Sequence, residues 1–436
     1  MSNAPSALPP LLHDRSFLAL NATQFLGAFN DNLFKELVLL LCVEYSRTHP
    51  GEEYQAHATV LFSVPFILFS GFAGYLSDRY PKPTAILACK IAEVVIVLCG
   101  MAALATHQLW GPLAVLFLMG THSAFFGPPK YGMLPEMLRA KDLPRANGIM
   151  LMVTFLAIIF GLSAAGAAIH IGERWWHGEL WPTSGACLIV AVLGVITAWR
   201  IRRLPAAEPG LRFQPSSLFM TPETMWLIWN DRELRGVLTV SSMFWFIGGV
   251  VYPQATNAFG KLQLGMDDLR TGMLAACTGV GIAVGCVVAG ALSKDRIRAW
   301  VVRVGGFGIA ASLAALSIPG PERGQTLLGT YGSAAALVSV GFFAGFFSVP
   351  LQVYLQAKAP SSQKGRVVAA MNLVNWIGIA GSGLVYGACA AIIGRFHLPH
   401  ATTFGICAVM MLLIAGIFSP PDCAVESGDA AATPHS

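Results

Sequence analysis

Charge is what this sequence has least of. Of its 436 residues only 12% are Asp, Glu, Lys or Arg, against 55% that are hydrophobic, and the mean hydropathy is +0.61. A soluble domain carries roughly 25% charged residues. Half that fraction cannot cover a water-exposed surface of this size, so much of the surface is expected to face lipid. A nucleotide phosphate loop is also missing: the one Gly-Lys pair, Gly260-Lys261, is followed by Leu262, which excludes G-x-x-x-x-G-K-[ST]. None of the ten histidines has Asp five residues later, so the H-x-x-x-x-D motif of acyltransferases is absent. Cys42, Cys89, Cys99, Cys187, Cys277, Cys286, Cys389 and Cys407 lie in apolar runs without C-x-x-C or Cys/His spacing. They read as small packing residues rather than disulfides or metal ligands. No enzyme, cofactor or metal is expected.

What the chain does have is long apolar runs. A spanning helix needs roughly 20 mostly apolar residues. Twelve such stretches can be marked, at about 16–44, 56–77, 83–106, 109–135, 146–171, 181–200, 236–260, 268–293, 299–318, 327–356, 367–394 and 400–419. The first is too long for the core of a signal peptide and runs through Asp31, Lys35 and Glu36. With an even number of spans both termini share one side. Nineteen of the 28 Lys and Arg residues fall on that side and six on the other, which places the termini in the cytoplasm. The net charge of +5 is thereby absorbed into membrane topology and does not call for nucleic acid.

The polar stretch 201–235, with Pro205, Pro209 and Pro215, divides the spans six and six. The two parts resemble each other. Ala73-Gly74-Tyr75-Leu76-Ser77-Asp78-Arg79 recurs as Ala289-Gly290-Ala291-Leu292-Ser293-Lys294-Asp295-Arg296, Gly290 lying 216 residues after Gly74. Phe125-Phe126 with Pro129 recurs as Phe346-Phe347 with Pro350, 221 residues on. Two matches at nearly one offset, each at a corresponding span end, indicate an internal repeat. The expected architecture is an all-α membrane protein: a tail at 1–15, a six-helix bundle at 16–200, a cytoplasmic loop at 201–235, a second bundle at 236–420 and a tail at 421–436.

Gly74-Tyr75-Leu76-Ser77-Asp78-Arg79-Tyr80-Pro81-Lys82 resembles the loop signature of the major facilitator superfamily, approximately G-x-L-a-D-r-x-G-r-k, with Pro81 in place of its second Gly. A carboxylate at a span end can face the positive end of a neighbouring helix and hold a gate shut. The resemblance implies that role for Gly74 and Asp78, with Arg79 pairing nearby, and for Asp295 and Arg296 in the second copy. A solvated loop ion pair is the plainer alternative.

Charges inside spans are the other signal. The first span carries Asn30-Asp31-Asn32 and Lys35-Glu36, and the third carries Lys90 and Glu93. Each central charge costs roughly 2.5–3.5 kcal/mol to insert. Such groups should therefore face a cavity or each other. Asp31 with Lys35 (i,i+4) and Lys90 with Glu93 (i,i+3) have pairing distance on one helix face. They fit either a packing network or a binding site. Lys130, after Pro128-Pro129, could reach a phosphate beside a bent span or snorkel to the interface.

The segments Gln24-Phe25-Leu26-Gly27-Ala28-Phe29-Asn30-Asp31-Asn32-Leu33-Phe34-Lys35 and Phe125-Phe126-Gly127-Pro128-Pro129-Lys130-Tyr131-Gly132, followed by Ala146-Asn147-Gly148, resemble the bacterial lysophospholipid transporter family. Some members are fused to an acyltransferase and an acyl-carrier-protein synthetase. The resemblance implies inward movement of lysophosphatidylethanolamine-like lipids across the inner membrane by alternating access, then cytoplasmic reacylation. It carries over Asp31, Asn32 and Lys130. The arginine that some members place in the seventh span has no counterpart in Phe244-Trp245-Phe246-Ile247-Gly248-Gly249-Val250-Val251-Tyr252. A zwitterionic head needs an anion for its amine and a cation for its phosphate. Asp31 with Lys130 or Lys90 would supply both, and an apolar gap between the halves would take the tail. A proton-coupled exporter of amphipathic compounds, with Asp31 or Glu93 as proton site, remains the alternative.

Overall fold

Apolar runs in lipid must satisfy their own backbone, which leaves the helix as the local structure. The computed structural model describes residues 9–48, 54–176, 181–182, 184–213, 215–218, 220–266, 268–293, 296–320, 326–418 and 423–424. Six long helices come first: α1 (Arg15–Thr48), α2 (Tyr54–Arg79), α3 (Lys82–Ala105), α4 (Trp110–Met137), α5 (Leu143–Trp175) and α6 (Gly185–Trp199). A short α7 (Pro222–Asn230) precedes α8 (Arg232–Gly249) and the three-residue α9 (Thr256–Ala258). Then come α10 (Asp268–Leu292), α11 (Ala299–Ser317), α12 (Gly329–Lys358), α13 (Lys364–Phe396) and α14 (Thr402–Ile417). Each stretch marked from the sequence falls on one of these helices, the seventh on α8 and α9 together. Eight described helical segments are long and apolar enough to cross a bilayer; α6 and α14 are apolar but shorter.

The stretch expected to be a plain loop contains α7. Thr221 caps it, accepting from the Thr224 amide, and Trp226 and Trp229 stand 70% and 71% exposed on it. Asp231 caps α8 in turn, its Oδ1 accepting from the amides of Glu233 and Leu234 at 3.0 Å. The seventh traverse breaks at Tyr252, whose φ of −127° and ψ of 125° are extended. Carbonyls around the break find side-chain donors: Gln254 Nε2 to Gly249 O at 3.2 Å and Thr256 Oγ1 to Val251 O at 2.8 Å.

In the first half α1 packs on α5 and α6, α2 on α4, and α3 on α4 and α6; in the second, α10 and α11 pack on α12, α11 on α14, and α8 on α13. The halves meet chiefly through α2 with α13 and α5 with α10. The α10–α12 crossing is close because Gly281 and Gly285 face Gly341 and Gly345. A Cβ on Gly281 would sit 2.0 Å from Val338 O, and one on Gly341 2.0 Å from Thr278 O. Small residues spaced four apart let membrane helices approach in this way. On the face that carries the termini, strand β1 (Arg296–Ile297) pairs antiparallel with β2 (Cys423–Ala424).

Candidate functional site

Four of the charges marked inside the first-half spans, Asp31, Lys90, Glu93 and Lys130, gather around one polar cluster between α1, α3 and α4. Lys90 Nζ donates to Glu93 Oε2 at 2.6 Å, and Asn30 Nδ2 donates to Glu93 Oε1 at 2.8 Å. His122 Nε2 lies 3.5 Å from Glu93 Oε2. The Lys90 ammonium is also 4.7 Å above the Phe126 ring. It is lodged against α1, because a Cβ at Gly27 would lie 2.2 Å from Nζ. Lys90 and Glu93 thus consume most of each other's charge in a fully buried pair. The packing alternative fits them well.

Asp31 and Lys130 stand at the edge of this cluster with charge to spare. Asp31 Oδ2 accepts from Ser123 on α4, while its buried Oδ1 has no hydrogen-bond partner. Lys130 Nζ sits 4.4 Å over the Tyr131 ring and 5.5 Å from that of Phe126. Among the described residues no carboxylate forms an ion pair with it, although Asp31 and Lys90 are both within electrostatic range. The expected Asp31–Lys35 pair is not the direct contact: Ser123 takes Asp31, and Lys35 Nζ lies 5.0 Å over the Phe62 ring. Asn32 turns its amide back to Ala28 O at 2.7 Å, and its Cβ lies against α5 near Gly161. It does not join Asp31 in the cluster.

His122 and Ser123 complete the cluster without having been expected from the sequence, whereas Asn30, marked there beside Asp31, joins it through Glu93. Thr121-His122-Ser123, a polar triplet inside the apolar fourth span, was the available signal.

At the termini face, Asp78 spans the two halves. Its Oδ1 accepts from the Gly365 amide at 2.8 Å and its Oδ2 from the Arg366 amide at 3.0 Å, at the first turn of α13. Arg366 Nε adds a third bond to Oδ2 at 3.2 Å. The carboxylate therefore faces the positive end of a helix from the other half, as the motif implies. Arg79 is not its partner. That side chain points outward, donating to Leu211 O and lying 5.7 Å from the Tyr80 ring. Arg366 takes the expected place, and it also binds Glu208, whose amide donates to Asp78 O at 2.9 Å. Lys82 Nζ, 3.8 Å from Asp78, bonds Glu136 at 2.5 Å.

Gly74 permits the approach: its Cβ would meet Ala369 Cβ at 2.5 Å and Arg366 Cα at 3.1 Å. The repeat reproduces this, since a Cβ on Gly290 would meet Pro144 O at 2.8 Å and Arg145 Cα at 3.1 Å. Asp295 lies outside the described residues, as does the Arg296 side chain. Beside this second contact, Asn147 on α5 and Gln356 on α12 exchange two amide hydrogen bonds of 2.8 and 3.0 Å, both side chains fully buried.

Deeper in, an apolar cavity of about 200 Å³ lies between α5 of the first half and the second half, bordered by Phe155, Ile159, Trp245, Gly248, Thr278 and Leu313.

The comparisons with known proteins agree with this architecture. The family model described as Major Facilitator Superfamily matches residues 24–383. Over 420 residues the chain is 30% identical to "Lysophospholipid transporter LplT" of Klebsiella pneumoniae (strain 342), covering 94% of this chain and 96% of that one. It is 31% identical to the protein of the same name from Enterobacter sp. (strain 638), over 83% of this chain and 85% of that one. Among solved structures it resembles the human organic anion transporter MFSD10, with a TM-score of 0.76 at 14% identity, covering 94% of this chain and 99% of that one. It also resembles the E. coli fucose:proton symporter FucP, with a TM-score of 0.69 at 11% identity, covering 92% and 97%. The chain belongs to the major facilitator superfamily and, within it, to the lysophospholipid transporter family.

Proposed function

We propose that this protein moves lysophospholipids inward across the bacterial inner membrane by alternating access, delivering them for reacylation by a cytoplasmic acyltransferase and acyl-carrier-protein synthetase. The relatives at 30% identity carry the substrate in their name. The observation that carries the reading is the spare charge in the first half: Asp31 keeps one unpartnered oxygen, and the Lys130 ammonium lies over aromatic faces and, among the described residues, forms no ion pair. A carboxylate and an ammonium with unspent charge match the amine and phosphate of a zwitterionic head. Lys90 and Glu93 hold the cluster in place, and Lys35 and Asn32 border it on α1.

Alternating access needs two faces that open in turn. The units that rock are 16–200 and 236–420, with 201–235 and both termini in the cytoplasm. Asp78 with Gly365 and Arg366, and the Gly74 and Gly290 contacts, serve as the cytoplasmic gate. Purified protein in liposomes, offered labelled lysophosphatidylethanolamine, is expected to take it up with or without a proton gradient. Strict dependence on the gradient would instead favour a proton-coupled carrier of other amphipathic compounds.

A further inference from the structure

The cavity between α5 and the second half has a shape that suits one part of a lysolipid only. Its walls are nearly all hydrocarbon: Phe155 and Ile159 on α5, Trp245 on α8, and Ile309 and Leu313 on α11. An apolar cavity of about 150 Å³ is large enough to take up benzene. At about 200 Å³, this one has room for the last several carbons of an alkyl chain, not for a whole tail. Lining residues Ile159, Gly279 and Ile309 fall midway along α5, α10 and α11, and at the middle of spanning helices the carbons available to fill a cavity are those of lipid tails.

Helix α5 links the cavity to α1, which carries Asp31. One side of α5 borders the cavity with Ile158 and Ile159; at Gly161 the same helix touches Phe29 O and Asn32, flanking Asp31 on α1. Gln24 Nε2 on α1 also bonds Thr154 Oγ1 of α5 at 2.8 Å. One further detail points to an occupant. The wall has a gap at Gly248, where an added Cβ would meet nothing within 4 Å. Neighbouring Gly249 is different: its Cβ would strike Ser382 Oγ at 2.4 Å, so that glycine is explained by packing. Gly248 is not explained that way.

We propose that this cavity receives the distal end of the substrate's acyl tail, and that the space left at Gly248 sets the longest tail the transporter accepts. The proposal rests on the lysophospholipid reading of the site. A lipid tail leaves one apolar medium for another, so burial from water contributes little and steric fit decides the selection. Chain length is then discriminated by overpacking and by unfilled space.

The test is uptake of decanoyl, myristoyl and stearoyl lysophosphatidylethanolamine into liposomes holding the full chain. Gly248→Phe fills the cavity and is expected to lower the stearoyl-to-decanoyl uptake ratio roughly tenfold or more, with decanoyl uptake near wild type. Leu313→Ala deepens the floor and should raise the same ratio. Gly383→Phe, where an added Cβ also meets nothing within 4 Å but lies outside the cavity, should leave the ratio unchanged. Equal loss at every chain length in Gly248→Phe, or no change at any, would overturn the proposal. Binding is read separately in a full chain whose other nine tryptophans are replaced by Phe: lysolipid brominated near the tail end should quench Trp245, and Gly248→Phe should remove that quenching. If wild type transports no lysolipid but this quenching pattern holds, the pocket stands and the transport reading falls. Absence of quenching in the chain with Trp245 alone would remove the pocket even where transport is normal.

Discussion

Arg366 meets Asp78 from the opposite half of the molecule through both its backbone amide, at 3.0 Å, and its guanidinium, at 3.2 Å. The same carboxylate takes the Gly365 amide, so one side chain from α2 satisfies the first turn of α13. If the two halves rock as proposed, this contact is made only while the termini face is shut. It makes Asp78 a reporter of conformation as well as a structural bond.

Asp78→Ala should therefore open this face. Cys286 lies fully buried beneath it, where a Cβ on Gly148 would come within 2.3 Å of Cys286 O. In a variant whose other cysteines are replaced, thiol labelling of Cys286 should rise severalfold in Asp78→Ala. Arg366→Ala should do the same, because it leaves a buried carboxylate short of its cation. Arg79→Ala should change labelling little, since its side chain faces outward. Equal effects from Arg79 and Arg366 would contradict the assignment.

The Asn147–Gln356 exchange should act as a second latch on that face. Asn147→Ala leaves a buried amide without partners and should destabilise the protein by about 1–3 kcal/mol. Gln356→Leu should cost a similar amount. The double variant should cost clearly less than the two together, because the partners fail as a unit. Thermal unfolding in detergent of all four proteins measures this; strictly additive losses would mean that the two amides do not work as a pair.

Lys90 and Glu93 should behave as packing partners. Lys90→Met alone strands a buried carboxylate and should destabilise by about 3–5 kcal/mol. Combining it with Glu93→Gln removes both charges and should recover most of the stability and much of the lysolipid uptake. A stable double variant with no uptake would make the pair part of the binding site.

The spans were readable because a bilayer demands long apolar runs, and the repeat was readable because both copies kept the Gly and Pro that close approaches and bends require. Asp78 was legible as a carboxylate that meets a helix start of the other half, but its side-chain partner was not. Arg79 is adjacent in sequence, whereas Arg366 lies 288 residues away and is placed only by the docking of α13 on α2. The α7 helix was hidden for a different reason: its apolar run Met225-Trp226-Leu227-Ile228-Trp229 is too short to register as a span. Asp31 and Lys130 were visible as costly charges inside apolar helices. That Ser123 rather than Lys35 would hold Asp31 depends on the packing of α4 across α1, which spacing along one helix cannot show.

The central claim is that Asp31 and Lys130 read the two charges of the lysolipid head. It is tested most directly by initial rates of labelled lysophosphatidylethanolamine uptake into liposomes containing wild type, Asp31→Asn or Lys130→Ala at matched amounts of folded protein. Both variants are expected to fold and to lose at least about a hundredfold in rate, as expected when a charge-assisted contact of roughly 3 kcal/mol is removed. Wild-type rates from the two variants would contradict the account.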